Sequence, residues 1–168
     1  MKKKLSIIIP VFNEEENIIP LYNELVYVLN PIFIFEIVFV NDFSNDNSKK
    51  IINNLKRSDQ RIMIINNAQN FGQSYSIHKG ILKSNYDNII TIDGDCQNDP
   101  RDIEKLANIY FSKKLDLVGG IRINRKDSNL KIISSKIANF VRSKLLKDNC
   151  ADTGCALKIM NKKSFLKI

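Results

Sequence analysis

At 168 residues, 43% of them hydrophobic and 26% charged, the chain has the size and composition of one globular domain able to bury a core. Cys96, Cys150 and Cys155 have no metal-ligand spacing and form no paired framework. This excludes a disulfide scaffold or cysteine-zinc module and favours a reducing, cytosolic setting. The net charge of +8 is unevenly placed: residues 1–121 hold 14 Lys/Arg against 15 Asp/Glu, and residues 122–168 hold 12 against 3.

A stretch so basic suits phosphates, an anionic bilayer or nucleic acid, with a solvated lysine-rich face as the plain alternative. No apolar run approaches the ~18 residues of a membrane span. Lys2-Lys3-Lys4 before Leu5–Ile9 imitates the start of a signal peptide. Pro10 and Glu14-Glu15-Glu16 interrupt the run, so a first strand is the better reading.

In chain order, Leu5–Phe12 reads as a strand buried on both faces. Ile18, Leu21, Tyr22, Leu25, Val28 and Leu29 follow at helical spacing, with Pro20 in the first turn. Phe33–Val40 is a second strand. Asn45 or Asp46 is the expected cap of a helix carrying Ile51, Ile52 and Leu55. Arg61–Ile65 is a third strand, followed by a helix over about 72–82. Ile89–Ile92 is a fourth strand. Asp99-Pro100 predicts the cap and first position of a helix with Ile103, Leu106, Ala107 and Tyr110 inward. Leu115–Val118 is a fifth strand. This alternation implies an α/β fold with a mostly parallel sheet and right-handed crossovers. Ile132, Ile133, Ile137, Phe140, Val141 and Leu145 trace an apolar stripe, with Lys131, Lys136, Arg142, Lys144 and Lys147 mostly off it. Residues 131–147 are therefore expected to form an amphipathic helix with a basic face.

Ligands of open parallel sheets bind beyond the carboxyl ends of the strands. Three predicted strands end there in polar clusters: Pro10–Glu14, Asn41–Asp46 and Asp93-Gly94-Asp95-Cys96-Gln97. Two carboxylates flanking Gly94 can face one hard divalent cation, and Gln97 can add a neutral oxygen. Such a cation neutralises charge on a diphosphate leaving group. The first strand is followed by neither a Walker loop nor a Gly-x-Gly-x-x-Gly turn, which removes the main support for P-loop and dinucleotide readings. His78, the single histidine, reads as a packed or surface residue, and no nucleophile elbow supports hydrolase chemistry.

Taken together, Ile9–Glu14, Val40–Asp46, Asn70-Phe71-Gly72-Gln73, Ile92–Pro100, Gly120-Ile121-Arg122 and Asp152–Lys158 resemble the family 2 glycosyltransferases of GT-A (Rossmann-like) fold. Within that family the resemblance is to the dolichyl-phosphate mannose synthase and undecaprenyl-phosphate glycosyltransferase type. The segments occur in family order across essentially the whole chain. The resemblance implies one glycosyltransferase domain over 1–168, with a nucleotide-sugar part at 1–121 and an acceptor-side part at 122–168, and relatives that continue beyond Ile168.

Carried over by resemblance, Pro10 and Glu14 border the nucleotide, and Asp42 contacts its base or ribose. Asp93, Asp95 and Gln97 hold Mg2+ or Mn2+ on the donor diphosphate. Arg122, Lys131 and Ser135 meet a phosphate of the acceptor. Asp152 lies near the acceptor, or alternatively caps the turn at Gly154. Phe43 stands where relatives commonly carry Gly or another small residue, and Asn41 replaces a frequent Asp.

The implied substrates are a UDP- or GDP-linked sugar and a polyprenyl phosphate, at the inner face of the cytoplasmic membrane. A lipid phosphate is already largely dianionic near neutral pH and needs no strong base. A saccharide hydroxyl would need one, and Asp152 is the candidate. A nucleotidyltransferase lacks its Gly-rich basic loop here. Sparse aromatics in the basic stretch argue against nucleic acid.

Overall fold

A computed structural model of the chain describes residues 2–121, 152 and 154–167. The strands are β1 (Lys4–Val11), β2 (Ile34–Asn41), β3 (Ile62–Asn66), β4 (Asn88–Thr91), β5 (Leu117–Gly119) and β6 (Lys158–Asn161). The helices are α1 (Ile18–Leu29), α2 (Ser48–Ser58), α3 (Gln73–Lys83), α4 (Asp102–Lys113) and a short α5 (Lys162–Phe165). They build one sheet of order β3-β2-β1-β4-β6-β5. Strands β3, β2, β1 and β4 are parallel, and β6 pairs antiparallel with both β4 and β5.

β1 lies at the centre, and its apolar residues are divided between two cores. Leu5, Ile7, Ile9 and Val11 join Ile18, Leu21 and Leu25 of α1, Ile52 of α2 and Ile103 and Leu106 of α4 on one face. Ile8 points the other way, to Val38, Val40, Ile81 and Met160. This two-residue alternation, with both faces covered, is why the strand reads as an unbroken apolar run. Each of these buried Ile, Leu and Val side chains contributes about 1.5–3 kcal/mol from area removed from water.

α3 packs closely on the second face because Gly80 has no side chain. A Cβ there would lie 2.5 Å from Ile8 Cγ2 and 3.0 Å from Val40 Cγ2, and neither branch methyl can swing aside. Gly80→Ala is therefore expected to destabilise the chain by about 1–3 kcal/mol despite alanine's better helix propensity. Chemical denaturation measures this, and a variant as stable as the parent would contradict the close packing.

Two sequence expectations need correction. The helix predicted from Asp99-Pro100 begins at Asp102, with Arg101 as its cap residue. Residues 99–101 form a preceding tight turn, in which Asp99 O accepts from Asp102 N at 3.0 Å and Pro100 O from Ile103 N at 3.1 Å. The cap of α2 is Asn47 rather than Asn45 or Asp46, although Asp46 Oδ1 still accepts from Ser48 N at 2.9 Å. A sixth strand, β6, absent from the sequence expectations, runs between the fourth and the fifth. Arg122, Lys131, Ser135 and the helix expected over 131–147 lie outside the described residues.

Candidate active site

The site is built on the carboxyl edge of the parallel strands. β1 and β2 are neighbours, so their exit loops emerge side by side and bind each other. Asn13 N donates to Ser44 Oγ (3.1 Å), and Asn45 N donates to Asn13 Oδ1 (2.9 Å). Glu14 N donates to Ser48 Oγ (2.9 Å), and Glu15 N donates to Asp46 Oδ2 (3.0 Å). Burial pushes the Asp46 carboxyl up, but the Ser48 hydroxyl and amide and the Glu15 amide hold it below its ordinary value. Asn13 (φ 57°) and Phe43 (φ 66°) are both left-handed. At Phe43, 56% exposed, that backbone is one a bulky side chain rarely adopts, and it carries a cost of about 1–2 kcal/mol.

Asp42 directly follows β2 and is only 3% exposed. Its Oδ1 accepts from Asn67 Nδ2 (2.7 Å) and Phe71 N (3.0 Å), and its Oδ2 accepts from Gly72 N (2.7 Å). Asn67 is itself fixed, donating to Ser76 Oγ (2.9 Å) and accepting from Lys79 Nζ (2.8 Å). Burial raises the Asp42 carboxyl, yet the amides of Phe71 and Gly72 and the Asn67 and Ser76 side chains together hold it below the usual aspartate value. Asp42 thus secures the loop between β3 and α3.

The fourth strand leads into Asp93-Gly94-Asp95. Gly94 packs against the exit of β1, where an added Cβ would stand 3.2 Å from Pro10 O and 3.4 Å from Glu14 Cγ. This brings the Asp93–Asp95 turn against Pro10 and Glu14. Asp95 Oδ1 accepts from Gln97 N at 3.0 Å, Cys96 turns the chain with φ 59°, and Gln73 Nε2 donates to Asp93 Oδ1. Burial pushes the Cys96 thiol up, and the negative charges of Asp95, Glu24 and Glu14 push it further.

These loops enclose a cavity of about 330 Å³ lined by Pro10, Val11, Phe12, Glu14, Asp42, Asn70, Gly72, Gln73, Asp93, Gly94 and Asp95. Five residues singled out in the sequence, Pro10, Glu14, Asp42, Asp93 and Asp95, therefore share one cavity. Gln97 does not line it. It lines a neighbouring groove of about 440 Å³ beside α4, with Asp99, Leu106, Ile121 and Leu157. Asp152 is buried, and its Oδ1 accepts from Gly154 N at 3.0 Å, the bond expected of a turn cap. Gln73 and Asn67 had no assigned role in the sequence. The only signal was Gln73's place at the end of Asn70-Phe71-Gly72-Gln73, and nothing local marked Asn67. His78 is an exposed residue of α3, its ring 6.1 Å from that of Phe165.

Four carboxylates line the cavity, and no Lys, Arg or His does so among the described residues. Asp93 and Asp95 are half-buried oxygen donors, and oxygen donors suit a hard divalent cation completed by waters and ligand phosphates. The donor set therefore fits Mg2+ or Mn2+. Among the described residues no three acidic, His or Cys side chains already converge as a closed metal cage.

Solved structures similar to this chain include the mannosyltransferase PcManGT from Pyrobaculum calidifontis in complex with GDP-Man and Mn2+ (TM-score 0.71, 13% identity, covering 99% of this chain and 47% of that one). S. aureus TarS 1-349 in complex with UDP-GlcNAc is also similar (TM-score 0.66, 19% identity, covering 99% and 47%). The fold is of the GT-A type. Curated relatives include an undecaprenyl-phosphate 4-deoxy-4-formamido-L-arabinose transferase of Pectobacterium atrosepticum, 34% identical over 93% of this chain and 48% of the relative. A dodecaprenyl-phosphate galacturonate synthase of Rhizobium johnstonii is 34% identical over 93% and 47%. The chain thus spans about half the length of the curated relatives it matches. The profile of glycosyl transferase family 2 matches residues 6–168, and on that match the chain belongs to this family.

Proposed function

We propose that the chain is the donor-binding part of a metal-dependent glycosyltransferase that moves a sugar from a nucleoside diphosphate to a polyprenyl phosphate. The observation that carries this reading is the acidic cavity with no basic lining residue among the described residues. A diphosphate meeting carboxylates at about 6 Å is repelled by roughly 1–3 kcal/mol per charge pair, so a cation must come between them. Asp93 and Asp95 would hold that cation, Mg2+ or Mn2+, and its chemistry is to neutralise charge on the departing diphosphate. Pro10 and Glu14 would border the nucleotide. Asp42 would act by fixing the Phe71–Gly72 amides beside it.

The acceptor is inferred from the curated relatives, whose names specify polyprenyl phosphates. A phosphate oxygen would displace the nucleoside diphosphate at the anomeric carbon without a strong base. Arg122, Lys131 and Ser135 would meet that phosphate, and Asp152 would stand near it. The basic excess of residues 122–168 suits the inner face of the cytoplasmic membrane, where each basic residue contributes about 1 kcal/mol near anionic lipid. Among the described residues no helix is long and apolar enough to cross a membrane.

The test uses the full-length gene product. UDP- and GDP-linked sugars are screened with Mg2+ and a polyprenyl phosphate, and glycolipid and released nucleotide are both assayed. Formation of a glycosylated lipid phosphate with stoichiometric nucleoside diphosphate is expected. Release of pyrophosphate would indicate a nucleotidyltransferase. Transfer only to a saccharide hydroxyl would transfer the proposal to polysaccharide synthesis and give Asp152 the role of base.

A further inference from the structure

The Asn67–Gln73 segment crosses the carboxyl edge of the sheet and is fastened at both ends. At one end Asp42, just past the end of β2, binds Asn67, Phe71 N and Gly72 N. At the other, Gln73, the first residue of α3, donates its side-chain amide to Asp93 Oδ1, at the exit of β4. β2 and β4 are not neighbours, since β1 lies between them. The segment therefore connects two strand exits that the sheet itself does not pair. Gln73 and Asp93 both line the cavity, whereas Asn67 is buried beneath it and does not.

We infer that Gln73 is a positioning residue for the Asp93 carboxylate, held in place by the Asp42–Asn67 anchor, and that this strap sets the geometry in which Asp93 meets a divalent cation. The inference rests on the metal reading of Asp93 given above. A neutral amide is the suitable donor. It fixes the orientation of the carboxylate through Oδ1, leaves the carboxylate charge intact, and brings no cation of its own to compete with a metal. Outer-shell partners that orient a ligating carboxylate typically account for a 10–100-fold difference in metal affinity. Gln73 is exposed, so its removal should not disturb the core.

The test is Mn2+ binding by the whole chain at saturating UDP or GDP, with free Mn2+ followed by its electron paramagnetic resonance signal. Gln73→Met keeps the length and removes the donor, and Gln73→Ala serves as a second variant. Both are expected to weaken Mn2+ binding about 10-fold with an unchanged unfolding midpoint. Asn67→Ala should weaken binding in the parent but add nothing in the Gln73→Met background, because its effect passes through Gln73. Parent-like affinity in both Gln73 variants, while Asp93→Ala binds poorly, would overturn the positioning role. Additive losses in the Asn67/Gln73 double variant would overturn the strap. Parent-like affinity in Asp93→Ala would instead remove the metal reading beneath both.

Discussion

Asp95→Ala is expected to lower the Mn2+-dependent affinity for a nucleoside diphosphate on the order of 100-fold, equivalent to about 2.8 kcal/mol, while leaving the fold nearly untouched. The size follows from the cavity's charge. With Glu14, Asp42, Asp93 and Asp95 around it and no basic lining residue among those described, the proposed metal would contribute most of the attraction for a diphosphate. Asp95 is half-buried, and its recorded hydrogen bond is the local one from Gln97 N. Its loss should therefore change stability by no more than about 0.5–1 kcal/mol. Calorimetric titration of parent and variant, each with and without Mn2+, separates the two effects. A variant with parent affinity would remove Asp95 from the metal's ligands.

Asp42→Asn is expected to have the opposite profile, a large effect on folding. The carboxylate accepts from three donors in a buried setting. Replacing one acceptor oxygen by an NH2 group sets donor against donor and costs about 2–3 kcal/mol. The pH dependence has a definite sign. Asp42 is held below its ordinary value in the folded chain. It therefore contributes stability that is present above the unfolded value of about 3.9 and lost as pH falls through the lower folded value. Asp46, Asp59 and Asp99 are shifted in the same direction and reinforce the loss in acid. Urea unfolding between pH 7 and pH 3 should show the parent and Asp42→Asn curves converging below about pH 4. A gap independent of pH would mean that the Asp42 charge does not stabilise the loop.

Much of this site was legible in the sequence because its determinants are local. β1 and β2 read correctly because strands buried on both faces are continuous apolar runs, and polar residues placed just after them fall at the ligand-binding edge. Asp93-Gly94-Asp95 fell at the cavity because it closely follows β4, a placement that needs no distant partner. β6 was missed because Lys158-Ile159-Met160-Asn161 is too short to show a period, and its strand character comes from pairing with β4 and β5. The starts of α2 and α4 were misplaced by one or more residues because Asp46 and Asp99 each accept from the amide two residues on, Ser48 N and Arg101 N, and sequence alone does not distinguish these bonds from helix caps. The anchoring of Asp42 was hidden for a different reason. A polar residue at a strand end announces a site, but whether its oxygens face a ligand or hold a loop depends on partners 25 to 30 residues away.

The most direct test of the central claim, that this acidic edge receives a nucleoside diphosphate through a divalent cation, is calorimetric titration of the chain with UDP and with GDP in Mn2+ and then in excess EDTA. The account predicts binding of at least one of them in Mn2+ and its loss in EDTA. Equal binding under both conditions, or no binding of either nucleotide with Mn2+ present, would contradict it.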